Sequence, residues 1–284
     1  MIMKIINHKH LALYLIILCA TLFMVFYRYI DYAYKTPSRL QSASQSQDSD
    51  LSPEALEQAK NKTFLQHFFD LRANFTLNST YRDFIGVKFR IVPVVIISVI
   101  FLYTNIKNCL IKYNIGRNTQ YQSEIDKLQR KLSLIPAFFS TITIVILFCI
   151  GLTSTQPNLG IHFTLLYDHS DIISGLMRNN LTVLVVFEIV NFIGIYILTQ
   201  LALRLTERYG KLDGILIFLI AMWIVPIFNV TTGVLYEAKI LLPYTILING
   251  AYVGTSLFQM ITPIFITAII SFWLRRLNTD EIEL

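Results

Sequence analysis

Charge is scarce in this sequence. Only 15% of its 284 residues are Asp, Glu, Lys or Arg, against 54% hydrophobic residues, and the mean hydropathy is +0.55. A chain of this length with so little charge cannot cover a folded surface with water-seeking groups, which excludes a water-soluble domain and points to an integral membrane protein. Cysteine is scarce too. Cys19, Cys109 and Cys149 lie within or beside apolar runs at no metal-ligand spacing, so they read as small buried hydrophobes and carry no redox or metal argument. Common catalytic signatures are missing. There is no G-x-x-x-x-G-K-[ST] loop to cradle ATP phosphates, no H-E-x-x-H, no G-x-S-x-G and no C-x-x-C, and the five histidines are scattered along the chain. The expectation is a chain that is not itself an enzyme and holds no cofactor, so that any use of ATP needs a partner.

What is abundant is long apolar sequence. A bilayer core about 30 Å thick takes roughly 20 apolar residues per helix. Six windows of that kind occur, at about 11–27, 89–106, 134–153, 181–203, 214–235 and 256–274. The first resembles the core of a signal peptide, with Lys4 and Lys9 ahead of it, but its bulky "FMVFYRY" end offers no small-x-small cleavage site, so it reads as a retained anchor. The fold class expected is therefore all-α, a single polytopic domain over 1–284 with six transmembrane helices. Lysine and arginine set its orientation. Lys4, Lys9, Lys107, Lys112, Arg117, Lys127, Arg130, Lys131, Arg204, Arg208, Lys211, Arg275 and Arg276 fall on one side if the segments alternate, and the opposite short loops hold only Arg178 and Lys239. Both termini are expected in the cytoplasm, in a cell-membrane protein whose first environment is the lipid bilayer. Lys88 and Arg90, at the outer edge of the second window, run against this trend. The net charge of +6 needs no nucleic-acid partner, because cations gathered at the cytoplasmic face account for it.

The loop over 28–87 is expected outside the cell. Residues 36–52, "TPSRLQSASQSQDSDLS", have the composition of a linker that cannot bury a core. Ser52 and Pro53 then open a helix over 53–72, with Glu54 and Glu57 in its first turns and Phe64, Leu65, Phe68, Phe69 and Leu71 along one side. Its apolar side suits packing on the membrane surface or the top of the bundle, or binding of an outside ligand.

Residues 107–133 form the most basic gap between apolar windows. Ser123, Glu124 and Asp126 begin a short helix, and Ile125, Leu128, Leu132 and Ile135 repeat at helical spacing to give it an apolar stripe. The stripe suits a lipid surface or a partner's groove, and the loop as a whole also fits a plain positive-inside anchor. The stretch "LIKYNIGRNTQYQSEIDKL", a glycine-arginine turn followed by a helix that leads into the third span, resembles the permease subunits of type-2 ABC exporters, especially the small six-span permeases of low-GC Gram-positive bacteria. The layout is similar over the whole chain, with an extended outer segment after the first span and a basic loop after the second. The resemblance implies a coupling helix that docks on a separate ABC ATPase subunit through Gly116, Arg117, Tyr121, Glu124, Ile125 and Leu128, and pairing with a second permease copy or a paralogue. Asn118 stands where such permeases often carry a second basic residue.

Residues 237–255 are apolar but interrupted by Pro243, Gly250 and Gly254. They read as an outer re-entrant segment, a feature the resemblance also implies, or as a kinked extension of the sixth helix. Glu188, with Asn191 at helical spacing, is a carboxylate within the fourth apolar window, suited to a substrate or proton pathway or to an internally bonded structural role. The function expected is an exporter permease subunit. The alternative is a non-transporting membrane factor, such as an immunity, receptor or scaffold protein.

Overall fold

The computed structural model describes residues 12–24, 27, 77–113, 118–152, 180–232, 242–248 and 257–280. All the elements among them are helical. They are α1 (Ala12–Met24), α2 (Leu77–Tyr113), α3 (Asn118–Leu152), α4 (Asn180–Tyr209), α5 (Lys211–Leu219), a π-helical turn (Ile220–Ile224), α6 (Val225–Thr232), α7 (Thr245–Ile248) and α8 (Leu257–Asp280). Among the described residues, four stretches are long and apolar enough to cross a membrane, Lys88–Cys109, Glu188–Tyr209, Lys211–Phe228 and Phe258–Leu277, while Ala12–Met24 is apolar but shorter. The chain is thus a helical membrane protein. The linker 36–52 and the helix expected over 53–72 lie outside the described residues.

Helix α4 occupies the centre, packed against α2, α3, α5, α7 and α8. Side-chain pairs give the sense of each neighbour. Lys88 meets Asn191 and Lys107 meets Glu207, so α2 and α4 run parallel, and Arg204 meets Ser271 while Arg208 meets Leu277, so α8 runs parallel as well. Helix α3 runs the other way, with Gln129 bonded to Tyr103 near one end and Phe138 edge-on to Phe192 further along. The core joins Ile96, Ile100 and Tyr103 of α2, Ile125 and Leu132 of α3, Leu198 and Ala202 of α4, and Phe218 and Met222 beyond the next turn. Helix α1 lies against one flank, where Tyr14, Ile17 and Leu18 cover Ile91, Val95 and Phe139.

Hydroxyl groups show how polar side chains are tolerated in this interior. Thr143, Thr199, Thr206 and Thr267 each donate to the carbonyl four residues earlier in their own helix, at 2.6–2.9 Å, and Ser133 does the same at 2.8 Å. Each donor is satisfied locally, so the helix face stays apolar to its neighbours. Pro93, Pro136 and Pro263 sit inside α2, α3 and α8, as membrane helices allow.

Two boundaries differ from the sequence reading. The short helix expected at 123–132 is the opening of α3, which continues unbroken through the apolar window to Leu152. Likewise α4 continues through Arg204 and Arg208, and a single residue, Gly210, joins it to α5. Gly210 has φ of 89°, a left-handed conformation that side chains resist. Its N–H reaches the Thr206 carbonyl at 3.1 Å, and its own carbonyl accepts the Gly214 N–H at 2.9 Å. At Gly214 the second helix passes so close that a Cβ would lie 2.5 Å from Thr206 Cα. The motif "RYGKLDG" therefore specifies a turn with no loop. Within the expected re-entrant segment, the described part, 242–248, makes a bend and the short α7. Ile246 and Leu247 are buried there, Ile246 against Gly194, and Tyr244 meets Phe89 edge-on.

Candidate functional site

Parallel packing of α2 and α4 brings charged residues together at two levels along the pair. Lys88 and Lys107 are 19 residues apart, as are Glu188 and Glu207. At about 1.5 Å per residue that separates the two clusters by about 28 Å, close to the thickness of a bilayer core.

The first cluster is Lys88, Glu188 and Asn191. Lys88 is only 1% exposed, and its Nζ donates to Asn191 Oδ1 at 2.7 Å. Glu188 precedes Asn191 by one helical turn, and Lys88 is the charge that acts on its carboxylate. The Asn191 side chain also acts on the Glu188 carboxylate, although the two are not in close hydrogen-bond geometry. Seven residues of α4, "LTVLVVF", precede Glu188 in the direction of Asn180, so the cluster lies within apolar sequence. Beside it a cleft of about 390 Å³ runs between α3 and α4, lined by Phe138, Thr141, Ile144, Val145, Val185, Glu188, Ile189, Phe192 and Ile193. Thr141 Oγ1 also lacks a partner, unlike the hydroxyls that return to their own helix.

The second cluster ties four helices. Glu207 accepts from Lys107 at 2.7 Å and from the Tyr103 hydroxyl, which in turn accepts from Gln129 Nε2 at 3.1 Å. Arg275 pairs with Asp126 at 2.5 Å, and Arg204 donates to the Ser271 hydroxyl and carbonyl at 2.8 and 2.5 Å. Several cations that the sequence presents as a positive-inside signal are thus also internal ties between α2, α3, α4 and α8.

The docking residues divide. Gly116 and Arg117 lie outside the described residues, and Tyr121 is placed only as a backbone position in the first turns of α3. Ile125 and Leu128 are 1% and 8% exposed and face the bundle core, together with Leu132. The expectation that this stripe meets lipid or a partner's groove is corrected on physical grounds: α3 is one rod, and its apolar side has Tyr103 and the α4 leucines to pack against. Glu124 remains on the outward side, paired with Lys127 at 3.0 Å, next to exposed Arg130 and Lys131. Glu188 and Asn191 do share one site. Lys88 is the member that sequence reasoning missed, although its conflict with the positive-inside trend was the available signal. A cation at the wrong edge of a span has a reason to be held inside.

Fold and site together define a multi-pass helical membrane protein with two polar clusters at separate levels along its central helices. Compared with protein-family models, with curated proteins and with solved structures, the chain finds no match.

Proposed function

We propose that this chain is the permease subunit of an ATP-driven exporter in the cell membrane, crossing six times with both termini inside. It pairs with a second copy or a paralogue and is powered by a separate ABC ATPase. The observation that supports transport is the Lys88–Asn191–Glu188 cluster beside an open cleft. Desolvating a lysine and a glutamate among apolar spans is costly, and membrane proteins that keep such groups use them to line substrate or ion pathways. The ABC assignment rests on the resemblance of the 107–133 segment and of the overall layout. With Ile125 and Leu128 turned inward, an ATPase would meet the charged side of α3, at Glu124, Lys127, Arg130 and Lys131, with the turn before it.

Co-purification of the full chain with a Walker-motif ATPase from the same cells, followed by an assay of ATP hydrolysis, tests this reading. The expected outcome is a stable complex that dissociates when Glu124→Lys and Lys131→Glu are combined. A chain that purifies without any ATPase removes the exporter reading. The non-transporting membrane factor then takes its place, and the inward-facing Ile125–Leu128 stripe already favours that second reading.

A further inference from the structure

We propose that Arg130, Arg204 and Arg275 bind the phosphate of an anionic phospholipid, one acyl chain of which lies in the α3–α4 cleft. The site is separate from the Glu188 cluster and does not rest on the transport reading. Arg204 stands in the last turns of the apolar stretch of α4, and Arg275 in those of α8, which is the depth of lipid head groups. Among the described residues α3 and α8 each pack on α4 but make few contacts with each other, so Arg204 lies at the floor between them. Asp126 and Arg130 act on its guanidinium from α3, Arg275 from α8 and the Tyr196 phenol from α4 itself. Three guanidinium groups, which keep their charge at any physiological pH, thus share one carboxylate. Glu207 offers no second one, because Lys107 and Tyr103 engage it. Asp126 is bonded to Arg275, and Arg204 Nε has no partner. The excess cations and the open donor call for an anion, and the guanidinium fork suits phosphate.

What selects a phospholipid over a soluble phosphate compound lies deeper in the bundle. Thr141 is eleven residues beyond Arg130 on α3, Ile193 is eleven residues before Arg204 on α4, and both line the cleft of about 390 Å³. Eleven residues are about three helical turns, so the cleft lies on the same side of each helix as its arginine, about 16 Å away. Because α3 and α4 run in opposite directions, both steps lead into the membrane. That depth matches the acyl chains of one leaflet, half of a core about 30 Å thick. Phe138, Val145 and Ile189 are exposed and give the cleft an apolar wall, while the Glu188 oxygens are shielded from it. Cations at head-group depth with an apolar bed beneath them fit one molecule, a lipid of net negative charge.

The test uses the full-length chain in phosphatidylcholine vesicles. Phe138→Trp serves as a reporter in the cleft, with Trp223→Phe and Trp273→Phe removing the two native tryptophans, and quenching by lipids brominated in their acyl chains is read. Brominated phosphatidylglycerol should bind about fivefold more strongly than brominated phosphatidylcholine. Arg130→Gln should remove most of that preference, since it leaves the Asp126–Arg275 and Arg204–Ser271 ties in place. Lys131→Gln removes the same charge one residue along, from a side chain that is not among the groups acting on Arg204, and should leave the preference unchanged. Both positions are exposed, so neither variant disturbs the core. Equal quenching by the two lipids would reduce the cleft to an ordinary lipid-facing furrow and overturn the proposal. Equal losses from Arg130→Gln and Lys131→Gln would trace the preference to diffuse surface charge and overturn it too. Loss of the preference in excess glycerol phosphate at constant ionic strength would assign the arginines to a soluble phosphate ligand instead. Arg130 also stands on the side of α3 offered to an ATPase, but the vesicles hold none, so the lipid site stands or falls independently of the exporter reading.

Discussion

Lys88 and Glu188 bring opposite charges into one apolar interior, and removing one differs from removing both. Lys88→Met leaves the Glu188 carboxylate without its compensating charge, at a cost of about 3 kcal/mol or more, whereas Lys88→Met with Glu188→Leu should regain most of that loss. Unfolding titrations in detergent micelles measure the difference, and equal destabilisation by the single and double variants would mean that the two charges do not sense each other. At the other cluster, Tyr103→Phe keeps the ring and removes the hydroxyl that joins Glu207 to Gln129. Gln129 is buried, so the orphaned amide should cost about 1–2 kcal/mol in the same assay. No measurable loss would indicate that water replaces the hydroxyl.

At the scale of elements, the two glycines around the α4–α5 junction make separable predictions. Gly214→Ala drives a methyl group into the backbone of Thr206 and should destabilise by about 1–3 kcal/mol. Gly210→Ala meets open space and should cost only the left-handed backbone term of about 1 kcal/mol. If the order were reversed, α5 would not pack on α4 as closely as described. The same region shows what sequence could convey. Apolar windows located the α2, α4 and α8 spans to within a turn or two, because bilayer thickness imposes a length on each. Arg204, Arg208 and Lys211 were legible as charges but not as helix, since a positive-inside count cannot see that Arg204 donates to Ser271 or that Gly210 turns the chain without a loop. The stripe at Ile125 and Leu128 was legible as a helical period. Its direction was not, because periodicity marks an apolar side without naming what covers it.

For the whole molecule, orientation is the open variable, and parallel α2, α4 and α8 opposed by α3 reduce it to a single sign. With both termini inside, a cysteine at Gln120 in a cysteine-free background should be protected from a membrane-impermeant maleimide added outside, and one at Ser46 should react. The reverse pattern would invert the chain and place the Glu207 cluster outside. The one-residue turn at Gly210 has a further consequence, one of phase. In most polytopic proteins a loop absorbs an inserted residue; here α5 takes its rotation directly from α4. One residue added after Gly210 would turn α5 by about 100° about its axis, carrying Phe218 and Met222 out of the core and setting the exposed Ile217 in the place of Phe218. The rotational setting of α5 is therefore inherited from α4, and the two helices form one clocked unit.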